Sequence, residues 1–240
     1  GTSPSETSTL LSLSAHDFLE FNISPIFAVW DNSVTGFGFD SIPYLPGDIK
    51  YYHTGNNTPL SYIYNYVISE YPDVDWVVLL DDDSMIDTSY IVALHEFWNT
   101  DVPLAIPRIE SSGVLISPGR LIGVHGKALA NNEVQKSMLP SKGIAAMMSG
   151  TIIRRDVFNL GLVFDERLNF YGIDTRFFID YSNYFSHIYL LNTTMNHSSA
   201  LRDSGLRGDT MLRRLKNLLQ SWPLVFDQVP YYRFRLICYI

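Results

Sequence analysis

Trp76-Val77-Val78-Leu79-Leu80-Asp81-Asp82-Asp83-Ser84 is the stretch from which the fold is read. Five apolar residues in a row, apolar on both faces, predict a buried strand, and three carboxylates mark the point where it leaves the core. Adjacent acids repel one another unless something positive lies between them. In extended chain, residues i and i+2 point to the same side, so Asp81 and Asp83 share a face while Asp82 points elsewhere. Two carboxylates placed this way offer a hard divalent cation oxygen ligands and leave room for water and phosphate oxygens. A solvated acidic turn that caps the next helix through Asp87 or Thr88 accounts for the same letters.

Other acidic motifs fit less well. A calcium-binding EF-hand loop needs an oxygen ligand and then glycine where this chain has Met85 and Ile86, so that reading fails. The haloacid-dehalogenase type of phosphatase has Thr or Val at the position of Met85, which weakens that reading without removing it.

Outward from the acidic turn, strand and helix signals alternate. Upstream lie a helix beginning near Ser5, a short strand at Ile26–Trp30, a strand at Ile49–Tyr52 and a helix from Pro59 to Glu70 with apolar residues at helical spacing. The polar turn Asp31-Asn32-Ser33 closes the first of these strands at its carboxyl end, where open α/β sheets place their ligands. Downstream, Thr88–Asn99 reads as a helix and residues 104–143, rich in Gly and Pro, as short strands and binding loops. Ile144–Ile153, a short helix at Arg155–Leu160, a helix late in Phe164–Asp180, a strand at His187–Leu191 and a basic amphipathic helix at Thr210–Gln220 complete the order. Strand, helix, strand, helix is the pattern of an α/β domain.

The 240 residues, 46% apolar and 18% charged, describe one ordinary domain with perhaps a small annex, and exclude a disordered or fibrous chain. The single cysteine, Cys238, cannot form an internal disulfide, so a cytoplasmic, reducing setting is the simplest expectation. A net charge of −8 argues against nucleic acid as a partner, because phosphate backbones need a basic face. Charge is unevenly spread. Residues 201–240 hold seven Arg/Lys against three Asp, or +4, which leaves −12 for residues 1–200. That basic, aromatic end suits an anionic membrane surface, a diphosphate or a solvated helix face. The chain is expected to continue beyond Ile240.

Two more residues carry possible chemistry. His197 follows the late strand and is either a hydrogen-bonding residue or a metal ligand; an imidazole added to carboxylates tilts preference from Mg²⁺ toward Mn²⁺. Asp174, after Tyr171-Gly172-Ile173, is either a helix cap or a general base that takes a proton from an acceptor hydroxyl, with Asp165, Glu166 and Asp180 as competitors.

Together these residues resemble family 2 glycosyltransferases of the GT-A fold, especially bacterial rhamnosyltransferase-like enzymes that build surface polysaccharides such as O-antigen. The resemblance runs over about residues 4–220. Phe27-Ala-Val-Trp-Asp-Asn-Ser33 is similar to the V-D-N-S element, and Gly55 to Asn65 to an N-x-G-x-x-x-A-x-N segment, with Thr58-Pro59 replacing the usual small residues. Val78 to Ser84 looks like the D-x-D motif; Ser149-Gly150 and Phe164-Asp-Glu-Arg167 resemble the elements before the acceptor site. Tyr171 to Phe177 matches the position of the family's base, and His197 its late metal-binding histidine.

The resemblance implies a Rossmann-like nucleotide-diphospho-sugar transferase domain over 1–205, with a mixed, mostly parallel central sheet flanked by helices, followed by a basic, membrane-associating segment over 206–240. It implies Asp31, Asp81 and Asp82 as nucleotide-sugar contacts, with Asp31 at the base. Mn²⁺ or Mg²⁺ would rest on Asp83 and His197, Arg202 and Arg207 would contact the diphosphate, and Asp174 would be the base of an inverting displacement. The expected donor is dTDP-rhamnose, otherwise a UDP-linked hexose or galactofuranose; the expected acceptor is a lipid-linked saccharide at the inner membrane face. Two departures stand out. The family opens with a strand ending in a T-Y-N-like sequence, and this chain begins just past where that strand would end. Asp174-Thr-Arg-Phe177 also replaces the commoner pair of acids, so Asp174 is the candidate base within that motif. A non-catalytic nucleotide- or carbohydrate-binding module of the same fold is the chief alternative, and a metal-dependent phosphatase the other.

Overall fold

The computed structural model describes residues 2–196 and 208–237. The helix expected near Ser5 is divided: Pro4–Glu6 forms a single 3-10 turn and α1 follows at Ser8–Leu13. β1 (Ile26–Asp31) runs parallel to β2 (Asp48–His53), with Trp30 opposite Tyr52. α2 (Leu60–Glu70) takes Pro59 as its N-cap. β3 (Trp76–Leu79) leads through the acidic turn to α3 (Thr88–Phe97), which Asp87 caps by accepting the Tyr90 N–H at 3.0 Å. The Gly/Pro-rich middle holds β4 (Leu104–Ser111), β5 (Val114–Ser117), β6 (Gly119–Ile122), β7 (His125–Ala128), α4 (Asn131–Val134) and β8 (Met138–Pro140). β9 (Ile144–Ala145), β10 (Thr151–Arg154), α5 (Arg155–Asn159), α6 (Ile173–Tyr181), β11 (His187–Asn196), α7 (Gly208–Val225) and α8 (Tyr232–Ile237) complete the order.

The main sheet runs β3-β10-β4-β11-β8, with β5 also paired to β4; β1-β2 and β7-β6-β9 form two smaller sheets. The α/β class with helices flanking a mixed sheet is as expected, but the emphasis on parallel pairing is corrected. β10 lies antiparallel between β3 and β4, β8 and β5 also pair antiparallel, and β4–β11 is the parallel pair of this sheet. The reason lies at Gly150. The stretch 144–153 breaks there into two strands, because Gly150 takes φ +75 and returns the chain beside β3. A Cβ at Gly150 would lie 2.5 Å from Met195 Sδ and 2.8 Å from Pro107 Cγ, so glycine is required for both the turn and the approach. β3 pairs with β10 at the end of the sheet, which leaves Val78 38% exposed although its strand is apolar throughout.

Alternation along the central strands builds two cores. Leu104 and Ile106 of β4, Ile153 of β10 and Ile188 and Leu190 of β11 face Phe164, Phe177, Phe178 and Tyr181 on one side. Ala105, Ile152, Leu191 and Met195 face Ile91, Leu94 and Phe97 of α3 on the other. Val225, Phe226 and Leu236 join the first core, so the end of α7 and α8 pack against the same body as α6. Among the described residues no helix is long and apolar enough to cross a membrane.

Phe177 stacks on Phe164 at 4.6 Å and is 1% exposed, joining α6 to the loop before it. Phe177→Ala is expected to cost about 3–5 kcal/mol of unfolding free energy, because the vacated ring volume does not close. Chemical denaturation of the two proteins checks this.

Candidate active site

The carboxyl end of β3 positions the acidic residues. The strand stops at Leu79, and residues 81–84 form a turn in which the Ser84 N–H donates to the Asp81 carbonyl at 3.4 Å. Asp81 and Asp83 are half-buried and Asp82 is exposed. Asp81 and Asp83 are thus less exposed than Asp82, and a turn rather than extended chain carries the three.

Side chains remote in sequence hold this turn. The Thr9 hydroxyl, on α1, donates to the Asp81 carbonyl and accepts the Ser84 N–H at 2.9 Å. The Thr9 N–H reaches the Asp82 carbonyl at 3.4 Å, and the Ser12 hydroxyl accepts the Ile86 N–H at 3.0 Å. From the other side, Ser149 Oγ accepts the Asp81 N–H at 3.3 Å and pairs with the Ser84 hydroxyl, while the Gly150 N–H donates to the Leu79 carbonyl at 2.7 Å. Thr9, Ser12, Ser84 and Ser149 were not read as site residues. A hydroxyl 72 residues from its partner leaves no local signal.

Asp174 lies in the first turn of α6, two residues after Gly172, whose left-handed backbone (φ +83) starts the helix. Its Oδ2 accepts the Met148 N–H at 3.1 Å. Dense packing around the carboxyl strips its water, and the nearby Asp81 carboxylate opposes a second negative charge; together they push Asp174 up to about 7 against the restraint of that N–H. Burial and the charges of Asp81 and Asp174 also push the Tyr64 phenol up. Asp81 in the turn after β3, Tyr64 from α2 and Asp174 from α6 thus sense one another electrostatically.

The competitors for the base are engaged elsewhere. Asp165 pairs with Arg167 at 2.5 Å, Asp180 with Arg176 at 2.7 Å, and Glu166 accepts from Asn65 at 2.9 Å. Asn65 also takes both backbone groups of Phe164, at 2.9 Å each, fixing the loop that leads toward Asp174.

Asp31 ends β1 and is 8% exposed. Oδ1 accepts the Ser33 N–H at 2.9 Å and the Ser33 hydroxyl at 2.5 Å; Oδ2 accepts the Phe37 N–H at 2.8 Å and the Tyr51 hydroxyl at 2.6 Å. Burial alone would raise its pKa, but these four bonds outweigh burial and hold the carboxyl well below the usual range. Its observed partners are the 31–37 loop and β2. Asn32 secures the same corner by accepting the Thr58 N–H at 2.7 Å and donating to the Thr58 carbonyl at 2.9 Å.

His197, Arg202 and Arg207 lie outside the described residues. Among the described residues no group of three His, Cys, Asp or Glu side chains gathers as a metal cage. The donor set at the turn, two inward carboxylates and hard oxygens throughout, still fits Mg²⁺ or Mn²⁺ whose remaining positions go to water and phosphate.

No family model matches the chain, and no curated protein matches its sequence. Its fold is similar to the crystal structure of S. aureus TarS 1-349, with a TM-score of 0.54 and 13% identity over 91% of this chain and 68% of that one. The same TarS segment in complex with UDP gives a TM-score of 0.55 and 11% identity over 92% and 68%. GalNAc-T7 with UDP, GalNAc and Mn²⁺ is more distant, at a TM-score of 0.46 and 13% identity over 63% and 32%. The chain has the GT-A fold.

Asp174 supplies a pH test of the site. Its folded pKa, about 7, lies above the ordinary 3.8, so the folded state holds the proton more tightly and stability falls as pH rises between those values. Asp174→Asn removes that loss: the variant should be more stable than wild type at pH 8, by at most about 4 kcal/mol, with the gap closing below pH 4. Denaturant titrations at both pH values check the sign.

Proposed function

We propose that the chain is an inverting, metal-dependent glycosyltransferase that moves a sugar from a nucleotide diphosphate to a saccharide hydroxyl. The observation that carries this reading is that, on a GT-A fold, adjacent residues tie Asp174 to the acidic turn: the Met148 N–H donates to Asp174 Oδ2 at 3.1 Å and Ser149 Oγ accepts the Asp81 N–H at 3.3 Å. In the ionised state Asp174 accepts the acceptor hydroxyl proton as that oxygen bonds to the anomeric carbon and the bond from that carbon to the diphosphate breaks. Asp83 with His197 would hold Mn²⁺ or Mg²⁺, which would supply neutralisation of the leaving diphosphate when bound. Asp81 and Asp82 take the ribose and sugar side of the donor, and Arg202 and Arg207 its phosphates. Asp31 serves the base through the loop that it organises. The GT-A fold supports this reading over a phosphatase, whose substrate would go to water at full rate without an acceptor.

For the donor, dTDP-rhamnose is the first choice. UDP, present in one of the TarS structures, makes a UDP-linked hexose or galactofuranose the second. The acceptor is a lipid-linked saccharide of surface polysaccharide synthesis, met at the inner membrane face. Support for that location is the +4 charge of residues 201–240 together with Leu212, Leu215, Phe234 and Ile237, all exposed on α7 and α8.

Calorimetry with dTDP and UDP, with and without Mn²⁺, tests the donor site. Binding should require metal and vanish in Asp83→Ala, and the tighter nucleotide names the donor class. Asp174→Asn should keep donor binding while transfer falls about 10²–10⁴-fold. Wild-type transfer should rise with pH through about 7 as Asp174 loses its proton. Metal-independent binding that Asp83→Ala leaves unchanged would sink the proposed site.

Co-sedimentation with vesicles checks the membrane contact. The chain should pellet with phosphatidylglycerol-containing vesicles and not with pure phosphatidylcholine, and Leu212→Ser with Leu215→Ser should weaken it. Equal recovery in the supernatant with both vesicle types would refute it.

A further inference from the structure

The end of α7 rests on the turn that opens α6. A Cβ at Gly172 would lie 2.3 Å from Val225 Cγ2 and 3.4 Å from Ser221 Oγ, so the Gly172 backbone, at φ +83, meets the side chains of α7 where a side chain of its own would collide. One helical turn further on, Arg176 is 5% exposed and reaches both elements at once. Its Nε donates to Asp180 Oδ2 at 2.7 Å, and its Nη1 donates to the Leu224 carbonyl at 2.7 Å and to Asp227 Oδ1. Arg167 closes the cluster by bridging Asp165 at 2.5 Å and Asp227 at 3.0 Å. A buried guanidinium anchored this way resists displacement, since losing one partner leaves charge uncompensated in a poorly solvated place.

Asp174 lies between these two contacts. The Arg176 N–H donates to the Gly172 carbonyl at 2.9 Å, closing the helical turn that contains Asp174, and the Met148 N–H fixes the carboxylate from the opposite side. Movement of the α7 end would release Gly172 and Arg176 together and turn Asp174 away from Met148.

We propose that Arg176 is a positioning residue: paired with Asp227, it locks the end of α7 onto the first turn of α6 and so sets the direction in which Asp174 presents its carboxylate. The consequence for transfer rests on the reading of Asp174 as the base; the mechanical link does not. The C-terminal helices are then a brace for the acceptor side of the site as well as a covering for the core.

Hydrogen exchange on the full chain, wild type against Asp227→Asn and Arg176→Lys, tests the link, with Lys216→Ala as a surface control. Exchange at the Met148 amide and in residues 173–176 should accelerate about a hundredfold in the two clasp variants, while β4 and β11 keep their protection. Transfer should fall about ten- to a hundredfold in kcat with the donor KM unchanged, because the base is misdirected and the donor site is not. Asp227→Asn preserves the shape of a partly exposed side chain and serves if Arg176→Lys does not fold. Faster exchange confined to residues 208–237, or spread equally over the molecule, would overturn the proposal. If wild type transfers no sugar, the functional reading fails, and exchange at Met148 still decides the clasp.

Discussion

Two carboxylates in one poorly solvated place, Asp81 and Asp174, are the constraint around which the rest of the molecule is arranged. Burial, and after it the charge of Asp81, push the Asp174 carboxyl up to about 7. Folding alone gains nothing from that arrangement: above neutral pH it places a destabilising charge in the interior. Strongly perturbed carboxyls of this kind cluster at functional sites.

The topology supplies this arrangement through three consecutive residues. β10 runs antiparallel between β3 and β4, which brings the segment before it across the carboxyl end of β3. Met148 then donates to Asp174, Ser149 accepts from Asp81 and pairs with Ser84, and Gly150 donates to Leu79. A parallel strand at that position would carry its preceding loop to the opposite end of the sheet. The antiparallel insertion thereby determines which loop touches the acidic turn and α6 together.

Much of this was legible in the sequence, and the limits have physical causes. The apolar run Trp76–Leu80 identified the strand and the acids after it, because hydrophobic burial and the strand period of two act locally. Asp174 was legible as the start of a helix, and the ordered series of motifs implied the GT-A fold. Pairing direction was not legible. β10 is apolar whether its neighbours run with it or against it, and the deciding residue, Gly150, falls in sequence inside what reads as one stretch, Ile144–Ile153. The edge position of β3 was hidden for a related reason: apolarity on both faces reports side-chain burial and says nothing of how many neighbours complete the backbone ladder. Thr9 and Ser149 are hydroxyls whose partners lie far along the chain, so no spacing announces them.

Asp31 shows how far a residue's role exceeds its motif. It and Asp174 are the same side chain, and burial acts on both in the same direction. What separates them is the count of donors. Four hydrogen bonds converge on Asp31 and compensate its charge, so it remains ionised and ties the loop Ser33–Phe37 to Tyr51. Asp174 receives the Met148 N–H and faces a like charge, so its proton is exchangeable near neutral pH. A carboxylate saturated with donors is a poor base, since any proton it took would cost several of those bonds. One carrying few donors beside another acid is a good one. The same environment rule therefore holds the Asp31 carboxyl low and pushes that of Asp174 up, and it does so from the geometry around each oxygen.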